Sequence, residues 1–270
     1  KEQCPIYSLL GDLKTTPKIA YASVLFGKTP QETFDIGKSI KEKNFRAIKF
    51  GWQNFGKNIK LDEEHITAAR ESIGDELHLM IDVGAVWGTN VEEAEKRNNL
   101  FKNSKITWLE EPFYSDAFYE YSELYKKTNL PLAGGESCHS VESAKNMIRY
   151  GKVKFIQIDA GIAGGIIAGK EICDFAEKSD VQYVNHTFTS HLQLSASLQP
   201  YANSSKSVFA EFPQQLKPLA WDLTDNHINL NENGNINLPE EIGHGMQINQ
   251  KAFEQYKVDV NIYINKEKVF

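Results

Sequence analysis

Short apolar runs alternate along most of the chain with longer polar stretches that favour helices. Each run is rich in β-branched or aromatic residues without a strict alternation of polar and apolar positions, which is typical of a parallel strand buried on both faces. Eight such runs predict strands at residues 19–22, 46–50, 77–82, 106–110, 131–134, 155–159, 181–185 and 208–211.

The stretches between these runs carry signals for the start of a helix. Thr29, Pro30 and Glu32 form a capping box with proline at the first helical position, and Asn90 begins a looser version. Further helices are predicted at residues 62–73, 116–127, 141–150, 165–178 and 190–202. Strands that alternate with helices predict βαβ units, and eight of them within about 200 residues predict an α/β fold, the (β/α)8 TIM-like barrel.

The alternation of predicted strands and helices divides the chain into three parts. Residues 1–17 lack periodicity and lead into the barrel, which we place at 18–211. Residues 212–270 form an irregular C-terminal extension, in which Asn233-Gly234 between 228–230 and 236–238 predicts a hairpin. The chain starts at Lys1 without a methionine, which suggests a piece of a longer protein.

Composition narrows the class of protein. The 270 residues are 41% hydrophobic and 24% charged, which excludes disorder of the whole chain. A net charge of −6 argues against a nucleic-acid partner, and no apolar run approaches the roughly 20 residues of a membrane span. Cys4, Cys138 and Cys173 form no CxxC pair, which argues against disulfides or a zinc site and predicts a cytoplasmic protein.

Ionisable residues follow most of the later predicted strands at their C-terminal ends, where barrel enzymes place their chemistry. The separations between successive positions are 28, 26, 23, 27 and 25 residues, each the length of one strand–helix unit. In a barrel these side chains converge on one opening: Asp82, Glu110, Glu136, Asp159, His186 and Glu211.

This concentration of charge predicts a cation site. A single carboxylate at a strand end is usually a loop cap or a salt-bridge partner, but five carboxylates and a histidine in one opening repel one another unless a cation is present. Strands three to five supply the oxygen ligands Asp82, Glu110 and Glu136, which suit Mg2+. Zinc fits poorly without thiolates or clustered imidazoles.

The remaining three positions suit acid–base chemistry. Asp159 lies one strand from His186, so it can orient the imidazole and raise its pKa, which makes His186 a candidate general base. Glu211 can hydrogen-bond to a substrate oxygen if it is protonated. Trp52 and Trp87 follow strands two and three and either line the pocket or pack at the barrel rim.

Five ordered motifs carry a resemblance to a known family. They are AIKFGW at 47–52, WLEEP at 108–112, GGE at 134–136, IDAGIAGG at 158–165 and HTFTS at 186–190. Over about residues 5–245 the chain resembles the mandelate racemase-like branch of the enolase superfamily, also called the mandelate racemase/muconate lactonizing enzyme family. The resemblance implies a modified (β/α)7β barrel and a metal-dependent removal of the proton α to a carboxylate.

The resemblance also implies roles for the candidate residues. Asp82, Glu110 and Glu136 would ligate Mg2+, with Glu110 favoured over its neighbour Glu111. His186 paired with Asp159 would be a base, and Glu211 the electrophilic acid. Lys49 would lie near the substrate carboxylate.

Two departures from the family pattern bear on the activity. Racemising relatives carry Lys-x-Lys on strand two, whereas this chain has Lys49-Phe50-Gly51 and so lacks the second base. The family pattern also implies an N-terminal capping domain, and because Lys1 lies just before the first predicted strand we expect this cap to be lost or to be a separate piece. With one base, the pattern favours a Mg2+-dependent dehydratase that converts an aldonate or aldarate to a 2-keto-3-deoxy acid.

Two other functions stay open from the sequence. One is a racemase or epimerase in which Lys49, or a group from the missing cap, serves the second face. The other is a non-catalytic barrel that binds a metal or ligand. The expected partner is a small carboxylate substrate, and many relatives of this family form homo-oligomers.

Overall fold

Eight parallel strands form a nearly closed barrel in a computed structural model that describes residues 2–11, 13–214, 216–258, 260, 263–265 and 267–268. The strands are β1 (Lys18–Leu25), β2 (Ala47–Gly51), β3 (His78–Asp82), β4 (Ile106–Glu110), β5 (Leu132–Gly134), β6 (Phe155–Ile158), β7 (Gln182–Asn185) and β8 (Phe209–Pro213). Their hydrogen-bonded order is β7-β6-β5-β4-β3-β2-β1-β8. All eight predicted strands are therefore confirmed, and so is the barrel.

Side chains join the two strands at the ends of this order, β7 and β8. Asn185 Oδ1 accepts the backbone N–H of Glu211 at 2.9 Å, and Ser207 Oγ accepts the N–H of Tyr183 at 2.9 Å. These bonds satisfy backbone donors that a strand ladder would otherwise pair.

A helix follows each of the first seven strands, which gives the (β/α)7β arrangement. The helices are α1 (Ile6–Leu9), α2 (Pro30–Glu42), α3 (Ile59–Ile73), α4 (Val91–Glu95), α5 (Asn98–Asn103), α6 (Phe118–Thr128), α7 (Val141–Asn146) with a π-helical turn (Met147–Gly151), α8 (Ala160–Ala163), α9 (Gly165–Lys178), α10 (His191–Leu198) with a 3-10 turn (Gln199–Tyr201), α11 (Pro218–Asp222) and α12 (Gln250–Tyr256). No helix among the described residues is long and apolar enough to cross a membrane.

The predicted helix caps are present. Thr29 Oγ1 accepts the N–H of Glu32 at 3.2 Å, and Asn90 Oδ1 accepts the N–H of Glu93 at 3.3 Å. Glu32 Oε2 returns to the N–H of Lys28 instead of the N–H of Thr29, so the reciprocal bond of the box is displaced by one residue.

Two layers of apolar side chains fill the molecule, because successive strand residues point to opposite faces of the sheet. The larger layer lies between the barrel wall and the helices. The smaller one fills the barrel and is called here the interior cluster: Tyr21, Ala47, Met80, Trp108, Ala133, Phe155, Val184 and Phe209. The candidate site lies at the C-terminal ends of the same strands.

The C-terminal extension differs from the predicted hairpin. A turn forms at Asn233-Gly234, with Gly234 at φ +72°, but β9 (Asn235–Ile236) pairs antiparallel with β1 and residues 228–230 form no strand. Ile236 is fully buried, so pairing with β1 places it in the core. A separate antiparallel pair, β10 (Tyr263–Ile264) and β11 (Glu267–Lys268), follows near the end of the chain.

Candidate active site

The seven residues singled out by the sequence lie together at the C-terminal ends of the strands. A pocket of about 270 Å3 is lined by Ser23, Val24, Leu25, Lys49, Gly51, Trp52, Asp82, Glu136, His186 and Phe188. Glu110 and Glu211 are fully buried and reach this group through Lys49, while Asp159 reaches it through His186.

Lys49 is the cation at the centre of the carboxylates. Its Nζ lies 2.5 Å from Glu110 Oε1, 2.9 Å from Glu211 Oε1 and 3.9 Å from Asp82 Oδ2. It also lies over the ring of Tyr21, 5.5 Å from the centroid. Burial opposes the charge, yet these carboxylates raise the pKa of Lys49 well above its usual value, so the ammonium form is strongly favoured.

The carboxylates around Lys49 carry more negative charge than one ammonium neutralises. Burial, followed by the nearby Glu110, raises the pKa of Asp82 well above its usual value. Burial also raises the pKa of Glu136. Burial and the charges of Glu136 and Asp82 raise the pKa of Glu111 to about 9. Such shifts mark a site that a further cation would stabilise.

The donors suit a hard divalent cation by their chemistry. Asp82, Glu110 and Glu136 offer only oxygen, the ligand that Mg2+ prefers. Within the described ranges, however, no group of three or more His, Cys, Asp or Glu side chains is arranged to hold a metal ion. Lys49 Nζ lies among the same oxygens, so ligation by all three would require its ammonium and the carboxylates to shift.

Strand geometry separates Glu110 from its neighbour Glu111. Glu110 ends β4 and is completely buried, with one oxygen bonded to Lys49 and the other to Trp108 Nε1 at 2.8 Å. Glu111 follows the strand at φ +41°, and its side chain is not bonded to Lys49 or Trp108. The structure therefore places Glu110 in the group, as the sequence favoured.

His186 and Asp159 form the expected pair. His186 Nδ1 lies 3.1 Å from Asp159 Oδ2, and its Nε2 lies 3.5 Å from Glu136 Oε2. Burial disfavours the charged ring, but the bond to Asp159 and the charges of Glu211 and Glu136 raise the pKa of His186 to about 9. A general base must be neutral, so neutralisation of those two glutamates is what would prepare the ring to accept a proton.

Asp159 is held on its other side by the start of α8. Its Oδ1 accepts the backbone N–H groups of Gly161 at 2.8 Å and Ile162 at 3.3 Å, and the Gln193 side chain at 3.1 Å. Burial opposes ionisation, but the bond to His186 and these backbone donors lower the pKa of Asp159. The residue is thus both a helix cap and the orienting partner of the imidazole.

Glu211 differs from the sequence expectation of a protonated acid. Its Oε2 accepts the backbone N–H of Thr187 at 2.7 Å, and its Oε1 lies against Lys49. Burial opposes the charge, but Lys49, followed by His186, holds the pKa of Glu211 below its usual value. In this arrangement Glu211 is an ionised acceptor, and its role as an acid stays a prediction.

Several contributing residues were not anticipated from sequence. Gln193 reaches Asp159 from α10, and Phe188 stacks against His186 with ring centroids 6.1 Å apart. Of the two tryptophans considered from the sequence, Trp52 lines the pocket, whereas Trp87 is buried and donates to Gly56 O at 2.8 Å. The HTFTS motif contained Phe188, but no spacing signal identified Gln193.

Comparison with known proteins places this geometry in a family. The model of the family described as "Enolase C-terminal domain-like" matches residues 35–252. A crystal structure from Rhodobacter sphaeroides, described as a predicted mandelate racemase, superposes with a TM-score of 0.94 at 39% identity, covering 98% of this chain and 68% of that chain.

Curated relatives are more distant and differ in activity. The D-gluconate dehydratase of Thermoproteus tenax is 25% identical, covering 98% of this chain and 55% of its own length. The D-galactarolactone cycloisomerase of Agrobacterium fabrum is 28% identical, covering 81% of this chain and 58% of its own length. The chain thus spans little more than half the length of these relatives. Members of the enolase superfamily use a divalent metal. With most of its length matched by the family model, the chain belongs to the enolase C-terminal domain-like family, within the mandelate racemase and enolase superfamily.

Proposed function

We propose that this chain is the barrel of a Mg2+-dependent lyase that dehydrates a sugar acid, an aldonate or aldarate, to a 2-keto-3-deoxy acid. The supporting observation is the state of Lys49. Two carboxylates at 2.5 and 2.9 Å hold its ammonium protonated, so it is a poor base. With the carboxylates assigned to the metal, His186 is the described pocket residue left to accept the α-proton, and dehydration needs only one base.

The metal ligands in this proposal are Asp82, Glu110 and Glu136. Bound there, Mg2+ would supply positive charge that stabilises the negative charge formed when the α-proton of the substrate leaves. Lys49 lines the same pocket and supplies a fixed positive charge to the same region.

The proton path runs through His186. Its Nε2 removes the α-proton, while Asp159 holds the ring by Nδ1 and stabilises the imidazolium that forms. The imidazolium then returns this proton to the departing β-hydroxyl, so the α C–H and β C–O bonds break and water leaves. The enol product then tautomerises to the 2-keto-3-deoxy acid.

Racemisation is the main alternative in the same family. It requires a proton partner on the opposite face of the enolate, and the family position for that group is Gly51 in this chain. Gly51 offers no ionisable group, and Lys49 is tied to Glu110 and Glu211. These observations favour elimination over racemisation.

The test is product analysis with a panel of aldonates and aldarates in the presence of Mg2+, by mass spectrometry. We expect one substrate to yield a product lighter by one water, and the His186→Asn protein to yield none. The matched control is His139→Gln, since His139 is exposed and does not line the pocket. Formation of a stereoisomer without loss of water would contradict the proposal.

A further inference from the structure

Trp108 connects the interior cluster to the candidate metal ligands. It precedes Glu110 by two residues on β4, so both side chains point into the barrel. The indole Nε1–H donates to Glu110 Oε2 at 2.8 Å, and both side chains are completely buried.

The two oxygens of Glu110 have different partners. Oε1 bonds to Lys49, a residue that lines the pocket, while Oε2 bonds to the indole within the barrel. A carboxylate held at one oxygen by a neutral donor keeps its charge and cannot rotate freely. The Glu110 carboxylate is therefore fixed in one orientation, in which Oε1 is the oxygen that faces a cation.

Neighbouring rings fix the indole in turn. Tyr21 packs edge-on against Trp108 at 5.4 Å between centroids, Phe155 lies at 4.8 Å and Phe209 at 5.6 Å. A phenylalanine could also pack in an aromatic cluster, but it would lack the N–H that bonds to Glu110. The indole N–H is the one feature of Trp108 that reaches the site.

We propose that Trp108 is a positioning residue that fixes the Glu110 carboxylate for a divalent cation. This inference rests on the proposed function, in which Glu110 is a metal ligand. Hydrogen-bonding partners of metal ligands elsewhere change metal affinity by about 10- to 100-fold when they are removed. The same loss is expected when the Trp108 N–H is removed and the ring is retained.

The experiment measures Mg2+ binding by isothermal titration calorimetry in the intact chain, without substrate. Trp108→Phe is expected to weaken binding by about 10- to 100-fold. Tyr183→Phe is the matched control, since it removes one polar atom from a fully buried aromatic ring that lies in the larger apolar layer and not in the interior cluster. Its affinity for Mg2+ is expected to equal that of the unmodified protein.

A shape-preserving replacement guards against a folding defect. β-(3-benzothienyl)alanine at position 108 keeps the size of the indole and replaces N–H by sulfur. If Trp108→Phe does not fold, the Mg2+ affinity of this protein tests the role of the N–H. Unchanged affinity in this protein would overturn the role of Trp108 and leave the proposed function standing. Absence of Mg2+ binding in the unmodified protein would overturn both.

Discussion

At the scale of single residues, the proposed function gives Lys49 and His186 different roles. Lys49 is charged and enclosed by carboxylates, so it supplies a fixed positive charge. His186 is held through one ring nitrogen by Asp159, and its other nitrogen lies 3.5 Å from Glu136. In the proposed function, this difference gives proton transfer to the imidazole.

His186→Asn should therefore stop turnover without removing the metal ligands. Positioned acid–base groups contribute about 10²- to 10⁴-fold to rate, and here one residue serves as base and then acid. We expect kcat to fall by at least about 10²-fold, measured as product formation, with Mg2+ affinity by calorimetry nearly unchanged. A variant with full activity would remove His186 from the mechanism.

Unlike His186→Asn, the Glu136→Gln variant should lose affinity for Mg2+. The amide cannot supply the negative charge that a hard divalent cation requires, so Mg2+ binding should be lost. Glu142→Gln is a suitable control, because Glu142 is an exposed carboxylate paired with Arg149 at 2.6 Å. Equal Mg2+ affinity in both variants would refute the three-ligand site.

At the scale of elements, α10 joins the barrel to the C-terminal extension through His191. The ring is buried and packs against Trp221 and His227, with centroids at 5.2 and 4.7 Å. The backbone N–H of Ile228 donates to His191 Nδ1 at 3.2 Å. Nδ1 must therefore be unprotonated, and the junction depends on a neutral imidazole.

This junction should weaken in acid. Burial, then the neighbouring His227, lowers the pKa of His191 to about 4, below the 6.5 expected when unfolded. The unfolded chain thus binds the proton first, and stability is lost as the pH falls from about 6.5 towards 4. Between pH 7 and 5 the free energy of unfolding should drop by about 2 kcal/mol from this residue.

Urea unfolding at the two pH values measures this effect. His191→Asn keeps an acceptor oxygen near the Ile228 N–H without a titrating group, so its stability should change less with pH. His139→Gln, at an exposed site, should keep the original pH dependence. If His191→Asn and the unmodified protein lose the same stability, His191 does not control the junction.

Elements of the barrel were predictable from local pattern, whereas the extension was not. The apolar runs and the caps at Thr29 and Asn90 depend on neighbouring residues, and the structure confirms them. The pairing of Ile236 with β1 depends on a contact more than 200 residues away, for which the turn at Gly234 carries no information. The Asn233-Gly234 signal therefore predicted the turn correctly but the wrong partner for the strand that follows it.

The candidate site was likewise predictable in part, where it depends on the spacing of strand ends. Spacing at strand ends brought Asp82, Glu136 and His186 to one pocket, because a barrel collects those ends. The bonds of Gln193 and Trp108 depend on side-chain conformations that spacing does not specify. Likewise, the ionised state of Glu211 follows from the position of the Lys49 ammonium.

At the scale of the whole molecule, Asn185 links the closure of the barrel to the site. Its Oδ1 accepts the backbone N–H of Glu211 and the Tyr201 hydroxyl, and its Nδ2 donates to Thr187 Oγ1. Thr187 in turn donates its backbone N–H to the Glu211 carboxylate. One buried amide therefore joins β7 to β8 and supports the strand end that carries Glu211.

Asn185→Leu should destabilise the whole fold. The change leaves buried donors and acceptors without partners, each at a cost of about 1–3 kcal/mol, so unfolding should become easier by at least about 2 kcal/mol. Urea denaturation measures the loss, with Asn99→Leu at an exposed position of α5 as a control for the change of residue type. A difference below about 0.5 kcal/mol would contradict this role.

In the proposed function, one base on one face of the substrate drives elimination. Proton NMR in D2O with Mg2+ and the sugar acid found in the panel tests this mechanism. We expect new signals from the C3 position of a 2-keto-3-deoxy product, while recovered substrate keeps its configuration at the α-carbon. Deuterium at an inverted α-carbon, with no elimination product, would contradict it.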